Sequence, residues 1–431
     1  MQAKVGFISL GCDKNRVESE YMISLVSKEF NVVDTVEEAD VVIINTCAFI
    51  QSAVQESIDT IMDAASYGVK IIVTGCLPMR YRDMSDQELL PEVSAFLDNQ
   101  HYADIVSVVY TVLEDGKKTL KNHGVKEPMS GERVLTTPMH YANLRIADGC
   151  DNACAYCAIP KIRGGYRAVP PQKLYDEARS LMDNYGTKEF ILVAQDVTRY
   201  ASQGVDLLGL IEGLEKAGVP YMRLMYCYPE LVTPALIQRI AHDPHLAPYL
   251  DLPLQHIDND ILISMNRKSR ETEIRALLER LKAENITVRS TFISGFPGES
   301  EQAHQKLLAF IKEGWIDYAG FFPYYREEGT AAYKMPNQIP QRVKKARVSQ
   351  LSAAESEIVR ANMQSLVGRT VSVTFDQIDY NKNLFVGHTE RMHPEMDSKV
   401  YFKSAAPVEM GSVYNVRIDS VRGIDVRGKT V

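Results

Sequence analysis

The sequence predicts an α/β protein in three parts: an N-terminal parallel-sheet α/β domain, a central full or partial βα barrel of the TIM type, and a small antiparallel β-barrel at the C-terminus. Three observations carry this. Short β-branched runs alternate with helical stretches over the first hundred residues, which implies parallel strands joined by crossover helices. The alternation resumes beyond residue 139 as repeated βα units. From Gly368 the helices disappear and short alternating strands follow one another, as in a small barrel.

In the first part, residues 5–10, 39–45 and 69–74 read as strands, with helical patterns over 16–29 and 50–65. Residues 116–138 are polar and punctuated by Gly116, Gly124, Pro128, Gly131 and Pro138, as expected of a linker. Strand patterns then fall at 142–146, 189–194, 221–225, 287–293 and 318–323, with helices at 171–185, 270–284 and 301–313. A charged helix over 343–366 closes this region, and 371–375 and 414–418 are strands of the last part. The expected domain bounds are therefore 1–117, a linker over 118–138, 139–367, and 368–431.

Hydrophobic residues make up 45% of the 431 and charged residues 24%, an ordinary balance for a soluble globular protein. No window approaches the roughly 18–20 apolar residues that span a bilayer. The N-terminus enters a short strand rather than the longer apolar core of a signal peptide, so a cytoplasmic location without membrane contact is expected. The net charge of −8 weighs against a protein that grips nucleic acid mainly through phosphates, although a local basic face stays open. Seven cysteines in such a chain point to metal or redox chemistry over structural disulfides.

Three of them, Cys150, Cys154 and Cys157, are spaced four and then three apart within one loop. Such a loop can wrap one cubane iron–sulfur cluster and leave its fourth iron without a protein ligand. An open iron can take the amino and carboxylate groups of S-adenosylmethionine, and an electron from the cluster then breaks the sulfonium bond to yield an adenosyl radical. Zinc is the competing reading, but it usually takes four closed ligands, and no nearby Cys or His completes the set.

Cys12, Cys47 and Cys76 each follow a predicted strand, in Gly11-Cys12, Thr46-Cys47 and Gly75-Cys76. Ligands of open α/β sheets bind beyond the carboxyl ends of the strands, so the three thiols are expected to converge on one sheet edge. They would form a second three-thiolate site with an iron open to a sulfur species; three ordinary core cysteines are the alternative. Cys227 belongs to neither trio and reads as a core residue, and Trp315 as packing.

The spacing at Cys150, Cys154 and Cys157 is the signature of radical S-adenosylmethionine enzymes, and the whole chain resembles the methylthiotransferase family among them. The resemblance rests on Leu10-Gly11-Cys12-Asp13-Lys14-Asn15, Asn45-Thr46-Cys47, Thr74-Gly75-Cys76 and the run from Arg145 to Cys157. It extends through Ile159-Pro160-Lys161-Ile162-Arg163-Gly164, Leu252-Pro253-Leu254-Gln255-His256 and Gly295-Phe296-Pro297-Gly298-Glu299. It implies an N-terminal cluster domain, a radical domain and a C-terminal TRAM barrel. The main branches modify a tRNA adenosine or an aspartate of the twelfth small-subunit ribosomal protein. The tetrad Cys12-Asp13-Lys14-Asn15 and the run from Cys157 to Arg167 resemble the ribosomal-protein branch. The barrel agrees: from Gly368 onward it carries nine Lys/Arg against eight Asp/Glu, a surplus of one, where a tRNA-gripping barrel should be more basic.

What the resemblance implies is insertion of a methylthio group at the β-carbon of that aspartate, using two S-adenosylmethionine molecules and two [4Fe-4S] clusters. Cys12, Cys47 and Cys76 would hold one cluster, and Cys150, Cys154 and Cys157 the other. Tyr156 resembles the aromatic residue beside the adenine of the cofactor. Glu189 ends the 186–189 turn expected near its methionine part, and Gly295 and Glu299 belong to a segment flanking adenine. Gln195, His256 and Arg267 resemble pocket-facing positions. The implied partners are the ribosomal protein, free or on the ribosome, an external electron donor, a sulfur donor, and a weak RNA contact through the TRAM barrel. Two alternatives stand beside this: a tRNA adenosine methylthiotransferase, and a non-catalytic RNA-binding or zinc-scaffold protein.

Overall fold

The structure, a computed structural model, describes residues 2–84, 89–117, 119 and 128–431. Gly124 of the expected linker lies outside the described residues. The N-terminal domain is a five-stranded parallel sheet in the order Asn31–Val33, Lys4–Ser9, Val41–Thr46, Lys70–Gly75, Ala95–Phe96. Val41–Thr46 is buried along its whole length, which explains its unbroken Val-Val-Ile-Ile run. The chain steps outward from Lys4–Ser9 to Asn31–Val33 and then back across to Val41–Thr46. A crevice for ligands opens where the strand order reverses in this way, and the two strands flanking it are the ones followed by Cys12 and Cys47.

The central domain has six parallel strands whose spatial order follows the sequence: Tyr141–Arg145, Glu189–Val193, Tyr221–Leu224, Leu246–Gln255, Thr287–Ser294, Tyr318–Pro323. Its first and last strands do not pair with each other, so of the two barrel readings the partial one holds. The helices Pro171–Tyr185, Leu207–Lys216, Glu271–Ala283 and Glu301–Lys312 bury one stripe each against this sheet, while Gln341–Gln364 lies along its last strand.

Leu246–Gln255 is missing from the expected strands because Pro248 and Pro253 argue against a central strand. Both prolines fall where the ladder is interrupted: Leu246 to Leu250 opposite Met222 to Leu224, and Leu252 to Gln255 opposite Ser290 to Phe292. The absent N–H groups are thus placed at breaks in register.

The C-terminal strands Thr370–Asp379, Leu384–His388, Val400–Lys403, Asp425–Thr430 and Val413–Arg422 form a closed barrel. It is not wholly antiparallel, because Val400–Lys403 and Asp425–Thr430 run parallel. The chain leaves Val400–Lys403, passes to the far side as Val413–Arg422, and returns by a hairpin to close the ring in its original direction. Phe375, Phe402, Val416 and Val426 of the barrel share one apolar cluster with Tyr141, Tyr249 and Tyr318 of the central domain. Residues 128–138 are also packed rather than free, since Arg133 is buried between Glu20 and Glu177. Among the described residues no helix is long and apolar enough to cross a membrane.

Candidate active site

Cys12 occupies the N-cap position of the helix Asp13–Val26, and Cys76 opens the short helix Cys76–Arg80. Gly75 before it has φ +90°, and a Cβ there would sit 2.3 Å from Asn45 Oδ1, so only glycine permits this turn. The two asparagines of the motifs lock the loops together. Asn15 Nδ2 donates to Asn45 Oδ1 (3.1 Å) and to the Thr46 carbonyl (3.0 Å), and Asn45 Nδ2 donates back to the Asn15 carbonyl (2.8 Å). Thr46 Oγ1 ties in the third loop by accepting from Leu77 N–H (3.2 Å), so three loops from distant sequence are fixed at one sheet edge, as expected from the strand ends.

The second trio is built locally. Gly149, at φ +75°, lies so close to the Gly165 carbonyl that a Cβ would approach it to 2.1 Å. The loop is tied down by Ala155 N–H to the Met265 carbonyl (3.0 Å) and by Asn266 Nδ2 to the Ala153 carbonyl (2.8 Å). Backbone N–H groups of Asn152 and Ile159 point at Cys150 Sγ (3.4 Å) and Cys157 Sγ (3.5 Å). Arg267 Nη1 lies 3.8 Å from Cys154 Sγ, and its guanidinium stacks 4.3 Å from the centre of the Tyr228 ring.

One cavity of about 340 Å³ is faced by Cys12, Cys47, Cys76, Cys150 and Cys157, five of the six trio cysteines. Cys154 borders a neighbouring cavity together with Arg199 and Arg267. Zinc with Zn–S bonds of about 2.3 Å would draw its thiolates to within about 3.8 Å of one another. No three of these sulfurs lie mutually within 4.8 Å. A cluster that presents a separate iron to each thiolate spreads its ligands wider, so both donor sets fit a cluster better than one metal ion. Burial pushes the Cys76 and Cys157 thiols up to about 12, and raises Cys47 and Cys150. Such thiols ionise readily only against strong positive charge of the kind iron supplies.

Tyr226 and Gln255 line the cavity, and both hold left-handed backbone (φ +57° and +73°) although neither is glycine. Strain of this kind collects at functional sites, and here it sits at the end of one strand (Gln255) and just beyond the end of another (Tyr226). Tyr226 N–H donates to Asp251 Oδ2 (3.0 Å), and Tyr226 Oη donates to Asp13 Oδ2 (3.0 Å), which joins the central sheet to the first turn of the N-terminal helix.

Behind the cavity Arg163 is fully buried and joins the two domains. It donates to Glu18 Oε1 (2.7 Å), Asp148 Oδ1 (3.0 Å) and Asn15 Oδ1 (3.0 Å), and its Nη2 reaches Cys76 Sγ (3.5 Å). Glu18 also receives Arg145 at 2.6 Å. Burial alone would raise the Asp148 pKa, but Arg163, Arg145 and Arg167 together hold it down to about 2. Arg163 belonged to a family motif without any role attached; only the fold reveals what it joins.

The remaining expected residues divide. Tyr156 and Gln195 line the cavity, and Tyr156 also borders a second, apolar one beside Phe322 and Tyr324. Glu189 does not approach the cysteines. It begins its strand at the opposite end, buried against Arg223 (2.8 Å) and His388 (3.0 Å) of the C-terminal barrel. Its expected cofactor contact gives way to a contact between domains, because a strand-initial residue lies far from the carboxyl edge. Glu299 is buried in its own turn, where it accepts from Gly295 N–H (2.6 Å) and pairs with Arg347 (2.8 Å). A Cβ on Gly295 (φ +78°) would clash with Lys344. Gly295 and Glu299 thus shape a loop and are absent from the cavity wall. His256 is fully buried with Nε2 3.7 Å from Glu299. Cys227 lies in the core, and Trp315 packs against it with Nε1 bonded to Glu313 (2.7 Å).

Three family models match the chain: the Uncharacterized protein family UPF0004 over residues 4–97, the Radical SAM superfamily over 144–311, and the TRAM domain over 367–431. Among solved structures, the radical S-adenosylmethionine methyltransferase TsrM from Kitasatospora setae superposes with a TM-score of 0.55 at 13% identity, covering 74% of this chain and 72% of that one. The cobalamin-dependent radical enzyme OxsB gives 0.51 at 13%, covering 82% and 56%. These two likenesses establish the fold. The protein from Clostridium acetobutylicum named ribosomal protein uS12 methylthiotransferase RimO is 40% identical, over 99% of this chain and 97% of its own length. Its namesake from Acetivibrio thermocellus is 39% identical over 100% and 99%. The cysteine loop, the three-part fold and this full-length similarity agree: the chain belongs to the RimO family of ribosomal protein uS12 methylthiotransferases.

Proposed function

We propose that this chain methylthiolates the β-carbon of an aspartate in ribosomal protein uS12, with Cys150, Cys154 and Cys157 holding one [4Fe-4S] cluster and Cys12, Cys47 and Cys76 another. The observation that supports this most is the single cavity faced by all of Cys12, Cys47 and Cys76 and by Cys150 and Cys157 of the other trio. When bound, the clusters and two S-adenosylmethionine molecules would supply the one-electron chemistry and the methyl group, with the sulfur coming from a separate donor. The unactivated β-carbon cannot be deprotonated by an ordinary base, so radical chemistry is the route open to it.

The chain's own residues do the rest. Each trio offers three thiolates and leaves the remaining coordination to an exogenous ligand. Tyr156 forms part of the wall between the main cavity and the apolar one next to it, and with Gln195 is the candidate for cofactor contact. Arg163 brings positive charge to the Cys76 sulfur, and Arg267 brings it to Cys154. The protein would act in the cytoplasm, with an external reductant and a sulfur donor, and its TRAM barrel would make a weak RNA contact.

The test is methylthiolation of a peptide containing the target aspartate by anaerobically reconstituted enzyme with S-adenosylmethionine and a reductant. A methylthio mass gain on that aspartate is expected. A gain on tRNA adenosine instead would defeat the reading.

A further inference from the structure

The tetrad Cys12-Asp13-Lys14-Asn15 contains one residue that the cluster chemistry does not use. Lys14 is 6% exposed and lines the cavity beside Cys12. Its ammonium lies 3.4 Å from the centre of the Tyr226 ring, and no carboxylate of the described residues comes within ion-pair distance of it. The other cation on the wall, Arg163, is already matched by Glu18 and Asp148. Asp251 on the same wall acts on Lys14 only from beyond ion-pair distance. A buried ammonium without a directly paired carboxylate is costly, and a ring face offsets only part of that cost.

The surroundings hold Lys14 in place without satisfying it. Asp13 anchors the Tyr226 hydroxyl, and Tyr226 is kept in left-handed backbone by its N–H bond to Asp251. Across the same cavity Gln195 Oε1 is a buried acceptor without a hydrogen-bond donor, whereas Asp251 Oδ1 lies 3.8 Å from Arg289 Nε in an ion pair. The wall therefore presents one cation without a paired carboxylate and one open amide acceptor, a pattern that suits a carboxylate followed by a backbone N–H group.

We propose that Lys14, seated on Tyr226, receives the side-chain carboxylate of the substrate aspartate and so determines specificity for an acidic residue. The inference rests on the reading of the substrate given above. In aspartate the β-carbon is bonded directly to the carboxylate carbon, so fixing the carboxylate fixes the reacting carbon one bond away, between the two trios.

The test measures anaerobic binding and turnover of two peptides on the cluster-loaded enzyme: one with the target aspartate and one with asparagine in its place. Wild-type enzyme should bind the aspartate peptide about 30-fold more tightly, the scale set by losing one partner of a buried charge pair. In Lys14→Met that preference should disappear, with the effect carried by KM more than kcat, at unchanged iron and sulfide content. Lys14→Arg keeps the cation and should retain most of the preference, so the idea stays testable if the methionine variant folds poorly.

Several results would overturn the proposal. One is a Lys14→Met enzyme that still prefers aspartate. Another is an equal loss of turnover on both peptides with unchanged binding, which would assign Lys14 to the charge of the neighbouring trio. If wild-type enzyme modifies the aspartate peptide but binds both peptides equally, the Lys14 assignment alone fails. If it modifies neither, the substrate reading falls with it.

Discussion

The two cysteine trios reach the same cavity by opposite means. Cys150, Cys154 and Cys157 sit on one loop, so their spacing is local and their positions depend on the turn at Gly149 and a few backbone bonds. Cys12, Cys47 and Cys76 come from three separate strand ends, and their spacing is a property of the folded sheet and of the Asn15–Asn45 lock. They also differ in exposure: Cys12 is exposed and Cys76 buried, whereas Cys150 and Cys154 are both buried. A site made by one loop survives local rearrangement; a site made by three loops requires the whole domain. Arg163 couples them, since it follows the second trio in sequence and touches Cys76 of the first.

The largest expected effect separates the trios. Cys157→Ala should remove S-adenosylmethionine cleavage and product together, with iron content near half that of wild type in anaerobic analysis. Cys76→Ala should also abolish the methylthio product and halve the iron, while reductive cleavage of S-adenosylmethionine at the other trio is still detected by chromatography. Equal loss of cleavage in both variants would break the division of labour.

Next comes the link between them. Arg163→Met leaves Glu18 and Asp148 buried with fewer counter-charges, and should cost about 3–5 kcal/mol in denaturant unfolding. Arg267→Met, which removes a bond to the Pro253 carbonyl (2.9 Å) and the contacts with Cys154 and Tyr228 but breaks no buried ion pair, should cost less.

The smallest effect lies at the opposite end of the strands. Burial works against charge on His388, but Asp376 and Glu189 carry its pKa up to about 9. Its unfolded value is near 6.5, so this contribution is complete below about pH 6.5 and is lost as pH rises through 9. Melting temperature should fall across that window by the equivalent of roughly 3 kcal/mol. In Glu189→Gln the fall should be shallower, because one of the two carboxylates facing His388 is gone.

What could be read from sequence follows the same contrast. The 150–157 loop was legible because its ligands are neighbours in the chain. The first trio was legible only because each cysteine follows a strand, so that the rule for sheet edges could stand in for contact. Glu189 was misplaced by the opposite confusion: a turn before a strand was assigned to the edge that follows one. Leu246–Gln255 was hidden by prolines that occupy breaks in register, and the parallel barrel pair by a connection that no periodicity shows. Arg163, Tyr226 and Asp251 were invisible as a group because their partners are distant in sequence; a buried Arg–Glu–Asp cluster leaves no spacing to find.

The central claim is that both trios serve one reaction on an aspartate of uS12. Mass spectrometry of uS12 and of bulk tRNA from cells lacking this gene, each against the parent strain, tests it most directly. The account predicts loss of the methylthio group from the uS12 aspartate with tRNA unchanged. An intact uS12 modification, or loss confined to tRNA, would contradict it.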